Sequence, residues 1–178
     1  MPTEVLAFWF EEIDPQLWFV SDSNFDDLIG KRFLSLTRQA AAGELSSWRT
    51  TAEGRLAEII VLDQFSRNIY RNTPQAFAQD PMALALAQEA VTAGALTALD
   101  QTRRNFLLLP YMHSESAQIH AVAETLYKEF AAPVNHEYEL QHKLIIDRFG
   151  RYPHRNAILG RRSTAEETEF LTQPGSSV

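Results

Sequence analysis

The sequence has no cysteine, which excludes disulfides, thiolate nucleophiles and cysteine-ligated zinc or iron–sulfur centres together. Glycine is scarce, with 7 in 178 residues. These few form neither a Gly-rich phosphate loop nor a Gly-x-Ser-x-Gly elbow, so nucleotide-loop and serine-hydrolase chemistry are set aside. No apolar run approaches the ~20 residues that span a bilayer. The N-terminus also lacks a basic stretch followed by an unbroken apolar one, so the expectation is a cytoplasmic chain without a membrane partner. Excess positive charge is missing too. A net charge of −7 repels phosphate backbones at long range and argues against a nucleic-acid partner. No alternating hairpin pattern and no Asn-Gly or Asp-Gly turn occurs, which leaves little room for strands.

What remains is the composition of an ordinary globular protein, 45% hydrophobic and 22% charged, at a length that suits one domain. Thr3 is placed to cap a first helix through about Glu12, and Pro15 forces its exit. Phe25, Leu28, Ile29, Phe33 and Leu36 give helical spacing from Asp22 to about Ala42, with Gly43 as a left-handed stop. Thr51 caps a third helix in which Leu56, Ile59, Ile60 and Asp63 share the buried stripe. Asp80 and Pro81 read as a cap and first turn, and a helix from Asp100 should end near Leu109, before Pro110. Ser114 caps a helix with Ile119, Val122, Ala123, Leu126 and Phe130 as its stripe. Another helix runs from about Val134 to Phe149 and stops at Gly150, and Ser163 with Glu166 reads as a capping box. The predicted fold class is all-α, antiparallel helical pairs in a single domain over residues 1–172, with 173–178 a flexible tail.

Two stretches stand out. Asp147-Arg148-Phe149-Gly150-Arg151-Tyr152-Pro153-His154-Arg155-Asn156 repeats the Asp, Phe, Arg, Arg and Asn slots of Asp63-Gln64-Phe65-Ser66-Arg67-Asn68-Ile69-Tyr70-Arg71-Asn72. Asp63 lies on its helix's apolar stripe and Asp147 shares a face with Leu140 and Leu144, so both carboxylates should be at least half buried. A carboxylate near a helix C-terminus meets the negative dipole end and needs a cation beside it. Arg67 and Arg151, four residues on, are the nearest partners. Arg71 and Arg155 lie beyond the chain reversal and are the ones expected to be spare for a ligand, with Asn156 next to them. Thirteen of the sixteen cations are arginine, the residue suited to planar pairing with carboxylate or phosphate.

Candidate proton-handling groups are His113 and Glu115, which flank the expected Ser114 cap where free helix amides attract an anion. His142 shares an inward face with Tyr138, Ile145 and Phe149. His154 sits between Arg151 and Arg155, which should keep it neutral at pH 7. Glu139 and His142 form a single Glu-x-x-His pair, and a di-metal bundle needs two, so neither a metal nor another cofactor is expected.

Taken with Leu6-Ala7-Phe8-Trp9-Phe10, Trp18-Phe19, Gly43-Glu44-Leu45 with Trp48, Leu109-Pro110-Tyr111-Met112-His113-Ser114-Glu115, and the run from Arg148 to Arg161, the two stretches make the chain resemble a bacterial domain-of-unknown-function family, number 924. The resemblance covers nearly the whole chain. It implies an all-helical, tetratricopeptide-like right-handed superhelix, and no biochemical role. Ser66 departs from it, since the family often carries proline there.

Two functions follow as expectations. In the first, Arg67, Arg71, Arg151, Arg155 and Asn156 hold a small anionic molecule while His113, Glu115, His142 or His154 move protons. In the second, the chain is a helical module that binds a peptide or protein along a groove. Whether it is an enzyme, and its oligomeric state, are not written in the sequence.

Overall fold

The structure, a computed structural model, describes residues 1–177, and every regular element among them is helical. Helix α1 (Pro2–Ala7) continues as a π-turn, Phe8–Glu12. It is followed by α2 (Ser23–Ala41) and α3 (Ala52–Ile60). A second π-turn, Val61–Phe65, joins α3 to α4 (Ser66–Ile69). Next come α5 (Asp80–Thr92), α6 (Ala95–Ala98) and α7 (Gln101–Met112). The last are α8 (Ala117–Phe130), α9 (Pro133–Phe149) and α10 (Ala165–Phe170). No helix among the described residues is long and apolar enough to cross a membrane.

The core forms where α1, α2, α3 and α7 meet. Phe8, Trp9, Phe25, Phe33 and Phe65 are all buried there, with Phe33 and Phe65 stacked at 4.8 Å between ring centroids. Each such ring contributes about 1.5–3 kcal/mol by leaving water, plus a smaller gain from ring–ring geometry. This cluster fixes the line from α3 through α4, and therefore the place of Asp63. A smaller cluster of Ile145, Ile146 and Tyr152, flanked by Phe149 and Phe170, anchors the end of α9.

Several helix ends differ from expectation, each for a local reason. Met1 rather than Thr3 occupies the N-cap of α1, because Pro2 already supplies the first-turn φ. Thr51 caps as expected, accepting from Gly54 N, and Asp22, read as the start of its helix, is the N-cap of α2, accepting from Phe25 N. Asp80 caps nothing, since its carboxylate is taken up by arginines. Helix α7 runs through Pro110 to Met112: near a helix end, proline removes only one hydrogen bond, and Leu107 to Met112 are all buried. Ser116, not Ser114, precedes α8. The capping box is Thr164 with Glu167, one residue beyond Ser163 and Glu166. Gly150 does end α9 at φ 68°. Ser176, placed by the sequence in a loose tail, is buried, with Oγ donating to Leu171 O at 3.2 Å.

Candidate functional site

The two Asp-x-Phe-x-Arg stretches meet in space but are not equivalent. Asp63 sits in the Val61–Phe65 π-turn and is buried to 1% exposure. Such single-turn π segments re-aim side chains and recur at functional sites. Asp147 is exposed instead and pairs with Lys143 at 2.5 Å. The expected stripe fails because Leu144 is 67% exposed, and the buried face of α9 is carried by Glu139, Ile145 and Ile146. The first copy ends in a left-handed Asn72 at φ 62°, whereas Asn156 is right-handed.

Asp63 holds three donors. His113 Nδ1 donates to its Oδ1 at 2.6 Å, Gln64 Nε2 to its Oδ2 at 2.5 Å, and Arg67 lies 3.1 Å away. Burial alone would raise this carboxyl, but Arg67 and His113 hold it well below the usual carboxylate range. Arg67 is the partner the spacing of four residues suggested, and it also grips Asp80 through two bonds of 2.8 and 3.0 Å. From the second stretch, Arg155 shares Asp80 Oδ2 with Arg67, at 3.3 Å, and donates to His113 O at 3.0 Å. Asp80, read from sequence as a helix cap, is thus the bridge between the two stretches.

Arg155 is the arginine of the expected ligand set that lines a cleft. Its guanidinium is sandwiched between Phe77 and Tyr152 at 4.7 and 4.6 Å, and its buried Nε has no partner. Burial and the nearby Arg67 push its pKa down. The cleft beside it measures about 480 Å³ and is lined by Phe77, Asp80, His113, Ser114, Glu115 and Arg155, among others.

The remaining candidates separate. Arg71 is not spare, because Asp26 takes it in a two-pronged pair at 2.5 and 2.7 Å. Arg151 pairs with Glu167 rather than Asp147, at 2.6 and 2.8 Å. Asn156 is buried and serves Ser163 and Arg161. Glu115 lines the cleft, yet both its oxygens are consumed, by Arg161 at 2.6 and 2.9 Å and by Tyr152 N at 2.6 Å. Burial is the largest single influence and would raise that carboxyl; the bonds from Arg161 and Tyr152 N, with the charge of Arg155, together outweigh it and lower the pKa. Glu115 is therefore a clamp on the chain after α9, not a free proton carrier. His154 stands near Tyr152, outside the lining of this cleft, with a partnerless buried Nδ1. His142 lies elsewhere, with Nδ1 donating to Tyr138 O at 2.7 Å.

His113 has the attributes of a proton acceptor. With Nδ1–H committed to Asp63, its Nε2 keeps a lone pair and has no partner among the described residues, and the side chain is 16% exposed. Burial, and then Arg67, lower its pKa against the pull of Asp63, so the ring is neutral at pH 7. The helix end that carries it is held by side chains at three successive carbonyls. Tyr152 Oη donates to Met112 O at 2.5 Å, Arg155 to His113 O, and His120 Nε2 to Ser114 O at 2.8 Å. His120 in turn meets Glu139 at 2.6 Å, both wholly buried. Glu139 thus belongs to His120, and the Glu139–His142 pair suggested by spacing is not formed. Among the described residues no group of three or more His, Asp or Glu is close enough to hold a metal.

Burial also drives His142 and His154 down to about 4, the latter helped by Arg155. A depressed imidazole contributes stability above its unfolded pKa near 6.5 and loses it as pH falls toward 4. Each should therefore cost roughly 1–2 kcal/mol across that window after allowance for partial exposure. Urea titrations at pH 7 and pH 5 should show the loss, and His142→Gln with His154→Gln should flatten it.

No curated protein matches the chain. Among solved structures it is similar to a protein of unknown function, ATU0120, from Agrobacterium tumefaciens, at 36% identity over 96% of each chain with a TM-score of 0.90. The description "Bacterial protein of unknown function (DUF924)" fits residues 5–175, and the chain belongs to that family.

Proposed function

We propose that this is a small-molecule-binding protein whose cleft between Asp80, His113 and Arg155 receives a compact carboxylate or phosphate group, with His113 taking up a proton from solvent as the anion enters. The observation that carries this reading is the 2.6 Å contact from His113 Nδ1 to a fully buried Asp63, at the edge of a cleft floored by an under-partnered Arg155. A carboxylate that fixes the imidazole tautomer leaves Nε2 as a base, the arrangement general-base chemistry requires.

Charge counting sharpens it. Asp63, Asp80 and Glu115 balance Arg67, Arg155 and Arg161 while His113 is neutral. An entering anion would leave one negative charge uncompensated among largely buried side chains, which is costly unless His113 becomes imidazolium. Anion binding should thus bring proton uptake and strengthen as pH falls from 7.5 to 6. Thermal-shift titrations with acetate and phosphate test this. Stabilisation that grows on acidification in the wild type and is at least tenfold weaker in Arg155→Met is expected. Equal stabilisation of both proteins, or none of the wild type, contradicts the reading.

A tetratricopeptide-like stack is supported by the packing of α7 on α8 and α8 on α9. A peptide-binding role on such a scaffold draws on Val134, Tyr138 and Leu144 of α9, each at least half exposed. The small-molecule reading is favoured because the polar groups converge on one concavity, as in ligand sites, instead of spreading along a groove.

A further inference from the structure

His113 belongs to the lining of a second cleft, of about 440 Å³, with Phe19, Leu109, Met112, Tyr138 and His142. This cleft differs in kind from the first: among the described residues no Asp, Glu, Lys or Arg lines it. Two neutral imidazoles lie among its polar groups, with Asn135, Gln141 and Ser177. His142 commits Nδ1–H to Tyr138 O at 2.7 Å, as His113 commits its own to Asp63 at 2.6 Å. Each ring is therefore held in the tautomer whose Nε2 is an acceptor, and neither Nε2 has a partner among the described residues. At the rim, Asn135 has its amide oxygen occupied by Asn105 Nδ2 at 3.2 Å. What Asn135 has left to offer is N–H.

We infer that this cleft binds an uncharged molecule with an apolar, aromatic-sized body that carries a hydroxyl group. A hydroxyl is the group that both donates, to an imidazole Nε2, and accepts, from Asn135. Leu109, Met112, Phe19 and Tyr138 supply the apolar and aromatic surface for the body. A carboxylate on the ligand would meet no Lys or Arg among the described lining residues, and burying it without a partner is strongly unfavourable. The inference shares His113 with the anion-binding reading but uses neither Arg155 nor Asp80, so each stands or falls separately.

The test is titration of the full chain with phenol, and in parallel with toluene, benzoate and benzylamine, followed by NMR of the methionine methyls and histidine ring protons. Phenol should give saturable shifts at Met112 and His142, with the three comparison compounds at least tenfold weaker. His142→Phe keeps the ring volume but removes one acceptor, and should weaken phenol several-fold without affecting toluene. Tyr138→Ala, at a position 51% exposed, should weaken both phenol and toluene and serves if the histidine variant does not fold. Shifts confined to other parts of the chain, or toluene or benzoate binding as well as phenol, would overturn the inference. Acetate, by contrast, is read out around Phe77 and Leu84 of the charged cleft, so failure there is seen independently.

Discussion

Replacing Asp63 by Asn should destabilise the fold by about 3–5 kcal/mol, because it leaves a buried cation facing a neutral amide. The substitution preserves shape, so the loss comes from charge and hydrogen bonding, not from a cavity. Arg67 would keep Asp80 but lose the carboxylate 3.1 Å away. An asparagine amide also cannot accept at both positions: one of His113 Nδ1–H and Gln64 Nε2–H would face another N–H group. At this chain length the deficit corresponds to a fall in Tm on the order of 10 °C. Urea denaturation measures it. Asp147→Asn, at an exposed residue paired only with Lys143 on the same helix face, should cost under about 1 kcal/mol. A similar cost for the two would mean that the stretches are equivalent after all.

The second large effect concerns the His120–Glu139 pair beneath the end of α7. Both side chains are wholly buried, and Glu139 Oε2 has no partner. His120→Phe should cost about 3–4 kcal/mol at pH 7, since it strands a buried carboxyl. Adding Glu139→Leu should recover roughly half of that, the remainder reflecting the orphaned Ser114 carbonyl. Burial already pushes Glu139 up. A carboxyl raised in the folded state is favourable below its unfolded pKa and unfavourable once pH passes the folded one. The deficit of His120→Phe relative to wild type should therefore shrink from pH 7 to pH 5. A deficit that is independent of pH, with no recovery in the double variant, would show that the pair is not coupled.

These two predictions mark where sequence patterns were informative and where they were not. The all-helical class, the cap at Thr51, the start of a helix at Asp22 and the stop at Gly150 follow from local rules, and local rules determined them. Asp63 was legible because the whole of Leu56–Ser66 is buried, so any phase of the helix places it inside. Asp147 was misplaced because α9 is a surface helix, where a rotation of one residue exchanges Leu144 for Ile145. The same slip hid His120. On α8 the aliphatic positions suggested Val122, which is 49% exposed, whereas the buried face is His120, Ala123 and Tyr127. Hydropathy ranks histidine and tyrosine too low to mark a core face, although both bury well when partnered. Asp80 was hidden by its chemistry, since an Asp-Pro step looks the same whether the carboxylate caps a helix or bridges two arginines 88 positions apart in sequence. Pairings over that range leave no periodic trace.

The account rests on a neutral His113 whose Nδ1 carries the proton and whose Nε2 is free. Nitrogen-15 NMR of histidine-labelled protein, titrated from pH 8 to 4.5, observes the tautomer and the pKa together. The structure requires Nδ1–H at pH 7 and a midpoint below 6.5, shifting upward when acetate is added. A ring protonated at Nε2, or an imidazolium persisting above pH 7 without ligand, would contradict it.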